Sequence, residues 1–275
     1  MKLFQSLLLL AAILFSSAGA EAQSLGMVPA EIRAPFKPGQ PVQTDLSVSN
    51  EGPTDISMRT TITDLWYDEK TNEKQFPPAG STPRSAGGWI EVVPRTFTVP
   101  AHGTAKVKAI ITPPLEANGG YYAVVFVESK PQLAQAETAE RQAIYANVRL
   151  GALVLLSAAG TEEYKIEVGG AKLTPPAVNQ DLKLEFQLTN QGNTHIFPQA
   201  KLGILNDKKQ IVARAENEPR RFFPGQKDTM AVTWSSTLKP GSYSALLTLL
   251  YSNKVYTQEF PFTVQDANIK APENN

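Results

Sequence analysis

The chain alternates apolar and polar residues in several short segments, and this alternation predicts β-strands. Residues 182–188 alternate without a break, and residues 104–110 do the same with Lys106 and Lys108 on the polar side. Strict alternation places one face of a strand on a core and the other in water. Turns rich in glycine and proline separate these segments, and no segment has a sustained helical period. The pattern therefore predicts an all-β protein.

One motif occurs twice in the chain, about one domain apart. Residues 46–56 and 186–196 each run from an alternating strand into the pattern Asn-x-Gly-x-Thr-x-Ile, which begins at Asn50 in the first copy and at Asn190 in the second. A repeat of this spacing, built from strands and turns, favours two large units over a solenoid of short ones. The predicted fold class is therefore all-β, with two tandem immunoglobulin-like β-sandwich domains.

The N-terminus has the pattern of a secretory signal peptide, predicted over residues 1–22. Lys2 precedes an apolar run over 7–15 and then small residues, and this run is too short for a permanent membrane helix. No later run reaches about 20 apolar residues, so we expect export without stable membrane insertion. The first sandwich domain is predicted over 23–157 and the second over 158–266. Residues 157–163 are predicted to form a hinge and residues 267–275 a disordered tail.

Composition and charge exclude several functions. The chain has no cysteine, so the core of each domain must stabilise it without disulfides. Its 26 basic and 26 acidic residues balance, which gives no reason to expect a nucleic-acid partner. The two histidines, His102 and His195, lie in different predicted domains and form no zinc-binding pattern, and neither accompanies a nucleophile motif. We therefore predict no enzyme, no metal and no cofactor.

Three further segments carry expectations that the structure tests. Residues 64–69 combine carboxylates with aromatic side chains but lack the oxygen spacing of a calcium loop, so we expect a solvated hairpin end. Trp89 and Trp234 are expected in the cores. Residues 130–142 lack both turn residues and apolar alternation, and we expect a long mobile loop there before a final strand of the first domain over 144–156.

The start of the predicted mature chain resembles the PapD-like periplasmic pilus-assembly chaperones. The resemblance is carried by residues 32–36, by the turn at Pro38 and Gly39, and by the strand that ends at Asn50. It implies a periplasmic, non-enzymatic chaperone with two immunoglobulin-like domains, whose partner is a protein subunit of a pilus or surface structure. By this resemblance, Arg33 holds the terminal carboxylate of the client.

The same resemblance implies a client-binding strand. The last strand of the first domain would complete an unfinished sandwich of the client, with its alternate side chains filling pockets there. In this strand addition, backbone hydrogen bonds join the strands and the side-chain pockets set the register. Those chaperones complete the carboxylate anchor with a lysine on this strand, where the present chain offers Arg149. The residues assigned by resemblance to the strand are Ile144, Ala146, Val148 and Leu150.

A second resemblance gives an alternative function. Residues 36–40, 50–54, 99–103 and 118–125 are similar to the paired sandwich domains of the WxL-interacting cell-surface proteins. That family implies a cell-envelope adhesion or scaffold protein that binds cell-wall polymer or a surface protein. Both resemblances imply an exported binding protein.

Overall fold

The computed structural model describes residues 25–135 and 144–265. The predicted signal peptide and tail, and part of the predicted loop over 130–142, lie outside the described residues. The described part consists of 20 strands and one short 3-10 helix at Gly87–Trp89. Over the same residues, no helix is long and apolar enough to cross a membrane. The predicted all-β class with two sandwich domains is confirmed.

The first domain contains two facing sheets and two small hairpins. The sheets have the strand orders β1-β3-β9-β7 and β2-β13-β10-β4-β8, and the hairpins are β5-β6 and β11-β12. The strands are β1 (Leu25–Val28), β2 (Glu31–Phe36), β3 (Val42–Asn50), β4 (Ile56–Asp64), β5 (Trp66–Tyr67), β6 (Lys74–Gln75), β7 (Ile90–Val93), β8 (Thr96–Val99), β9 (Gly103–Ile111), β10 (Gly119–Ser129), β11 (Gln132–Gln135), β12 (Ile144–Ala146) and β13 (Arg149–Ala158).

The second domain is a sandwich of a three-stranded and a four-stranded sheet. Their strand orders are β14-β15-β18 and β17-β16-β19-β20. The strands are β14 (Ile166–Thr174), β15 (Leu182–Asn190), β16 (Gln199–Leu205), β17 (Ile211–Glu216), β18 (Lys227–Trp234), β19 (Gly241–Tyr251) and β20 (Lys254–Val264). The alternation that predicted a strand over 182–188 corresponds to β15, whose leucines and Phe186 are buried.

Each domain has its own apolar core between its sheets. In the first domain, Leu46, Ile111 and Leu156 are fully buried members of the core, and Trp89 packs against it as expected. In the second domain, Phe186 and Phe222 are fully buried, and Trp234 packs against this core. Apolar burial of this kind contributes about 25 cal/mol per Å². Two separate cores explain how the domains are stabilised without disulfides.

The repeated motif forms the same buried turn in both domains. The amide of Asn50 donates to the carbonyls of Thr54 (2.8 Å) and Pro100 (3.1 Å), and its side-chain oxygen accepts from the amide of Gly52 (3.0 Å). In the second domain, Asn190 makes the corresponding three hydrogen bonds: its amide donates to the carbonyls of Thr194 and Phe222, and its side-chain oxygen accepts from the amide of Gly192. Because both functions of the amide are used, the repeat is a structural device of the fold.

The N-terminal segment changes sheets. Strand β1 pairs antiparallel with β3 in one sheet, and β2 then pairs parallel with β13 in the other. The β2 pairing begins where Glu31 lies opposite Leu153 and continues to the end of β13. Among the described residues, the earlier part of β13 is therefore paired on one side only, by β10. We call this part, residues 149–152, the open edge.

The predicted final strand over 144–156 is two strands in the structure. Strand β12 pairs with β11 as a hairpin, so the predicted loop over 130–142 begins as a strand, while β13 begins at Arg149 and belongs to the main sheet. The break occurs at Val148, whose amide donates to the Ser129 hydroxyl (2.9 Å). The Ser129 amide in turn donates to the Val148 carbonyl (2.9 Å). At this point the Ser129 hydroxyl takes the place of a backbone carbonyl as the acceptor of one hydrogen bond between the strands.

Candidate functional site

One face of the five-stranded sheet points away from the core of the first domain. We call it the outer face. Side chains alternate between the two faces of a strand, so every second residue of each strand lies on the outer face. The strand registers show which of these residues are neighbours. From β2, β13 and β10, these residues are Glu31, Arg33, Arg149, Gly151, Leu153, Leu155, Tyr122, Val124, Phe126 and Glu128.

The second domain covers one end of the outer face with an aromatic contact. Tyr122 is fully buried, and its ring meets that of Phe223 edge-on at 4.6 Å between centroids. Tyr67 stacks on Phe223 at 6.2 Å, and its hydroxyl lies 3.5 Å from the carbonyl of Pro224. Burial raises the pKa of Tyr122. Aromatic pairs of this kind contribute about 0.5–1.5 kcal/mol each beyond their buried area. The contact therefore fixes the second domain against the sheet.

The expectation of a solvated hairpin end over 64–69 is wrong for residues 64–67, although Glu69 is exposed in the turn between β5 and β6. Trp66 and Tyr67 belong to the cluster between the domains, and Asp64 is fully buried. The Asp64 carboxylate accepts hydrogen bonds from the amides of Ser81 and Thr82, both at 2.9 Å. Backbone donors explain how a carboxylate is tolerated in the interior. Its role here is to hold the segment that follows β6.

Arg33 lies at the boundary between the domains. Its guanidinium pairs with the carboxylate of Glu31, two residues earlier on the same face, and lies 4.1 Å from the ring centroid of Phe197 in the second domain. The Arg33 side chain is 60% exposed. Arg221, from the second domain, binds the other oxygen of Glu31 at 2.8 Å and is only 13% exposed. Two guanidinium groups from different domains thus share one carboxylate, which we call the bridging carboxylate.

His195 packs beside these charges. Its ring lies edge-on to Tyr122 and to Phe197, each at 5.6 Å between centroids. Burial and the nearby Arg221 guanidinium lower the pKa of His195 to about 4, although Glu31 acts in the opposite direction. Its Nδ1 atom is buried and has no hydrogen-bond partner among the described residues. The imidazole is therefore neutral at pH 7. No group of His, Asp or Glu in the described chain has the arrangement of a metal site.

The second copy of the repeated turn joins the two domains. The Asn193 side chain accepts from the amide of Glu163 (2.8 Å) and donates to the carbonyl of Thr161 (2.9 Å), and its own carbonyl accepts from the amide of Gly120 in β10 (2.9 Å). The Thr161 hydroxyl accepts from the amide of Gly119 in β10 (2.8 Å), so the predicted hinge over 157–163 is hydrogen-bonded to both domains. These bonds hold the turn at Asn193 against β10.

The other residues assigned by resemblance lie elsewhere. Arg149 pairs with Glu128 (2.6 Å), and its guanidinium lies 3.5 Å from the ring centroid of Phe126. The residue opposite Arg33 on β13 is Leu155, six residues beyond Arg149, which corresponds to about 20 Å along a strand. The structure therefore does not bring Arg149 to Arg33. The second cation near Arg33 is Arg221.

The donor residues assigned by resemblance have two different environments. Leu150 is half-buried and packs against the inner cluster of the first domain, with Leu25 and Met27, so its side chain does not lie on the outer face. Val148 is half-buried at the break before β13. Ile144 and Ala146 belong to β12, where the structure describes the backbone alone. On β13, the alternation puts the even-numbered residues inward and the odd-numbered residues on the outer face.

Sequence reasoning missed the ion-pair partner of Arg33, which is Glu31, and the second cation that binds Glu31, which is Arg221. Glu31 is an isolated acidic residue at the start of a strand, and Arg221 is 190 residues away from it in the chain. Arg221 precedes two phenylalanines, Phe222 and Phe223, in the second domain. This local pattern gave no reason to expect a contact with the first domain.

Comparison with known proteins gives the fold through solved structures. No protein-family model and no curated protein sequence matches the chain. The class 5 fimbriae chaperone CfaA matches with a TM-score of 0.51 and 11% identity, over 86% of this chain and 98% of that chain. A chain of the Salmonella enterica SafA pilin–SafB chaperone complex matches with a TM-score of 0.43 and 11% identity, over 89% and 98% of the two chains.

A chain of the CsuC–CsuE chaperone–tip adhesion subunit complex from archaic Csu pili of Acinetobacter baumannii also matches, with a TM-score of 0.43 and 11% identity, over 86% and 97% of the two chains. CfaA, with its TM-score of 0.51, shares the overall fold of this chain. The resemblance seen in the sequence is thereby confirmed for the fold: the chain has the two-domain, immunoglobulin-like architecture of the PapD-like fimbrial chaperones.

Proposed function

We propose that this chain is a periplasmic, non-enzymatic chaperone-like protein that captures an extended segment of a pilus or surface-protein subunit by β-strand addition. The observation that carries the proposal is the open edge of β13, which ends at the cationic boundary between the domains. The fold supports it, since the similar protein CfaA is a class 5 fimbriae chaperone.

The open edge has backbone groups that point toward its unpaired side and could pair with a new strand. The Leu153 amide donates to the Ala30 carbonyl on the β2 side (3.0 Å). Because strand residues alternate in the direction of their backbone groups, the amides and carbonyls of Gly151 and Arg149 face the same side. A captured segment would occupy the line of β2, ahead of Glu31, and continue the sheet there. Backbone pairing would supply affinity, and the side chains of the segment would supply register.

The cationic boundary gives the segment a direction. A segment parallel to β13, as β2 is, would end with its carboxyl terminus at the start of β2, close to Arg33 on the outer face. A guanidinium is suited to a carboxylate because it offers several donors in one plane. Arg33 is the most exposed of the boundary cations and is the proposed anchor, while Arg221 adds positive charge from the second domain.

The test uses two variants at one position of the open edge. Arg149→Pro removes the backbone N–H that points toward the unpaired side of β13, together with the arginine side chain, whereas Arg149→Ala removes the side chain alone. Each variant is co-expressed in the periplasm with a pilin-like subunit, and the complex is isolated through a tag on the chaperone. We expect Arg149→Ala to retain the subunit and Arg149→Pro to lose it, and Arg33→Ala to weaken capture.

Equal capture by the proline and alanine variants would refute strand addition at this edge. Sedimentation of the purified protein with peptidoglycan would instead favour the adhesion or scaffold function implied by the second resemblance. A chaperone of the proposed kind stays in the supernatant.

A further inference from the structure

The bridging carboxylate is held at both of its oxygens. Arg33 Nε binds Oε1 of Glu31, and Arg221 Nη1 binds Oε2 at 2.8 Å. The two guanidiniums differ in exposure, since the Arg33 side chain is 60% exposed and that of Arg221 is 13% exposed. The pair with Arg33 is therefore the more hydrated half of the bridge, and exposed pairs contribute little to stability.

The bridging carboxylate also lies where a captured segment would end. Glu31 is the first residue of β2 and pairs with Leu153, the residue that follows the open edge. Its side chain shares the outer face with Arg33. A strand added along residues 149–152 and parallel to β13 would bring its own terminal carboxylate toward the position that Glu31 now occupies.

We propose that Glu31 is an internal competitor for the client carboxylate. This inference rests on the proposed function and adds a step to it. Without a client, Glu31 occupies Arg33 and limits the binding of other anions. When a client arrives, its terminal carboxylate takes Arg33, and Glu31 stays bound to Arg221.

The local charges support this exchange. Arg33 and Arg221 supply two positive charges, Glu31 supplies one negative charge, and His195 is neutral at pH 7. A second carboxylate therefore completes the pairing of charges and leaves each guanidinium with one partner. Since Arg221 is the more buried cation and belongs to the second domain, it keeps Glu31 in place during the exchange. The contact between the domains is then preserved while Arg33 is released.

The experiment compares two peptides on three proteins. The probe is a fluorescent eight-residue peptide of alternating valine and threonine, made once with a free C-terminal carboxylate and once with a C-terminal amide. Binding is measured by anisotropy at low salt for the wild type, for Glu31→Gln, and for Glu91→Gln. Glu91 is exposed on β7 in the other sheet, so its substitution removes the same charge away from the boundary.

We expect Glu31→Gln to bind the carboxylate peptide about two- to fivefold more tightly than the wild type, which is the range that an exposed ion pair allows. The amide peptide should bind all three proteins equally, and Glu91→Gln should behave as the wild type. An unchanged or weaker affinity of Glu31→Gln for the carboxylate peptide would overturn the inference, as would an equal gain for both peptides or no binding by any protein.

Failure of this inference is separable from failure of the proposed function. Capture of a whole subunit, with its dependence on the Arg149 pair of variants, is measured without the peptide. If capture requires the open edge but Glu31→Gln gains no affinity, strand addition stands and Glu31 is a structural link between the domains. Urea unfolding of Glu31→Gln confirms that the variant tested is folded.

Discussion

The buried asparagine of each repeated turn gives a sharp test of how the fold is held together. Replacing Asn190 by aspartate keeps the size of the side chain and exchanges an amide donor for a carboxylate. In the native turn, this amide donates to the carbonyls of Thr194 (2.8 Å) and Phe222 (3.1 Å). After Asn190→Asp, an ionised carboxylate would face both carbonyl oxygens, with only the Gly192 amide as a donor.

The magnitude follows from these contacts. Asn190 is fully buried. Each lost hydrogen bond costs about 0.5–1.5 kcal/mol, and leaving buried carbonyls unpaired beside a charge adds about 1–3 kcal/mol. We therefore expect Asn190→Asp to lower the free energy of unfolding by about 2–6 kcal/mol at pH 7. Near pH 4 the loss should be smaller, because protonation removes the charge and restores one donor.

The assay is urea unfolding followed by tryptophan fluorescence, at pH 7 and at pH 4.5. Asn50→Asp is the parallel variant, since Asn50 is 1% exposed and makes the same three contacts in the first domain. Asn253→Asp, on an exposed turn, is the control and should change stability by less than about 0.5 kcal/mol. A loss below about 1 kcal/mol for both buried asparagines would refute the reasoning that their amides hold the turns.

Three further predictions concern the boundary between the domains and its supports. Asp64→Ala should lower the free energy of unfolding by about 2–3 kcal/mol in urea, because it leaves the amides of Ser81 and Thr82 without their acceptor. The pKa of His195 is about 4 in the folded protein and 6.5 in the unfolded chain, so protonation of the unfolded chain lowers the free energy of unfolding as the pH falls from 6.5 toward 4. Urea unfolding across this range should show a loss of up to about 3 kcal/mol, and His195→Gln should abolish this pH dependence. Asn193→Ala should separate the unfolding of the two domains into two calorimetric transitions, whereas the wild type should show one.

The sequence was sufficient for the parts of the fold that depend on local patterns. The alternation over 182–188 predicted a strand, and the two asparagine motifs predicted a duplicated unit, because both signals are written in neighbouring residues. The break at Val148 was not predictable from apolar alternation, since it depends on a side chain from the preceding strand.

The candidate site was predicted less well for a related reason. Arg33 was identified from a motif in its own strand, but Phe197 beside it and Arg221 on Glu31 are placed by how the second domain packs on the first. The aromatic residues Trp66 and Tyr67 were expected in solvent because the surface that buries them comes from residues 222–224. Contacts between distant parts of a chain leave no periodic signal in either part.

The parallel pairing of the first and last long strands of the first domain has a consequence for the order of folding. Strand β2 lies beside β13, so residues near the beginning of the domain must wait for residues more than a hundred positions later. Pairing between such distant segments is slow because a large loop must close first. If the chain crosses a membrane from its N-terminus, its five-stranded sheet cannot be completed until Ala158 has emerged. Until then, the apolar β10 strand has β4 on one side but lacks β13 on the other, and an unpaired apolar strand edge favours aggregation of the nascent chain.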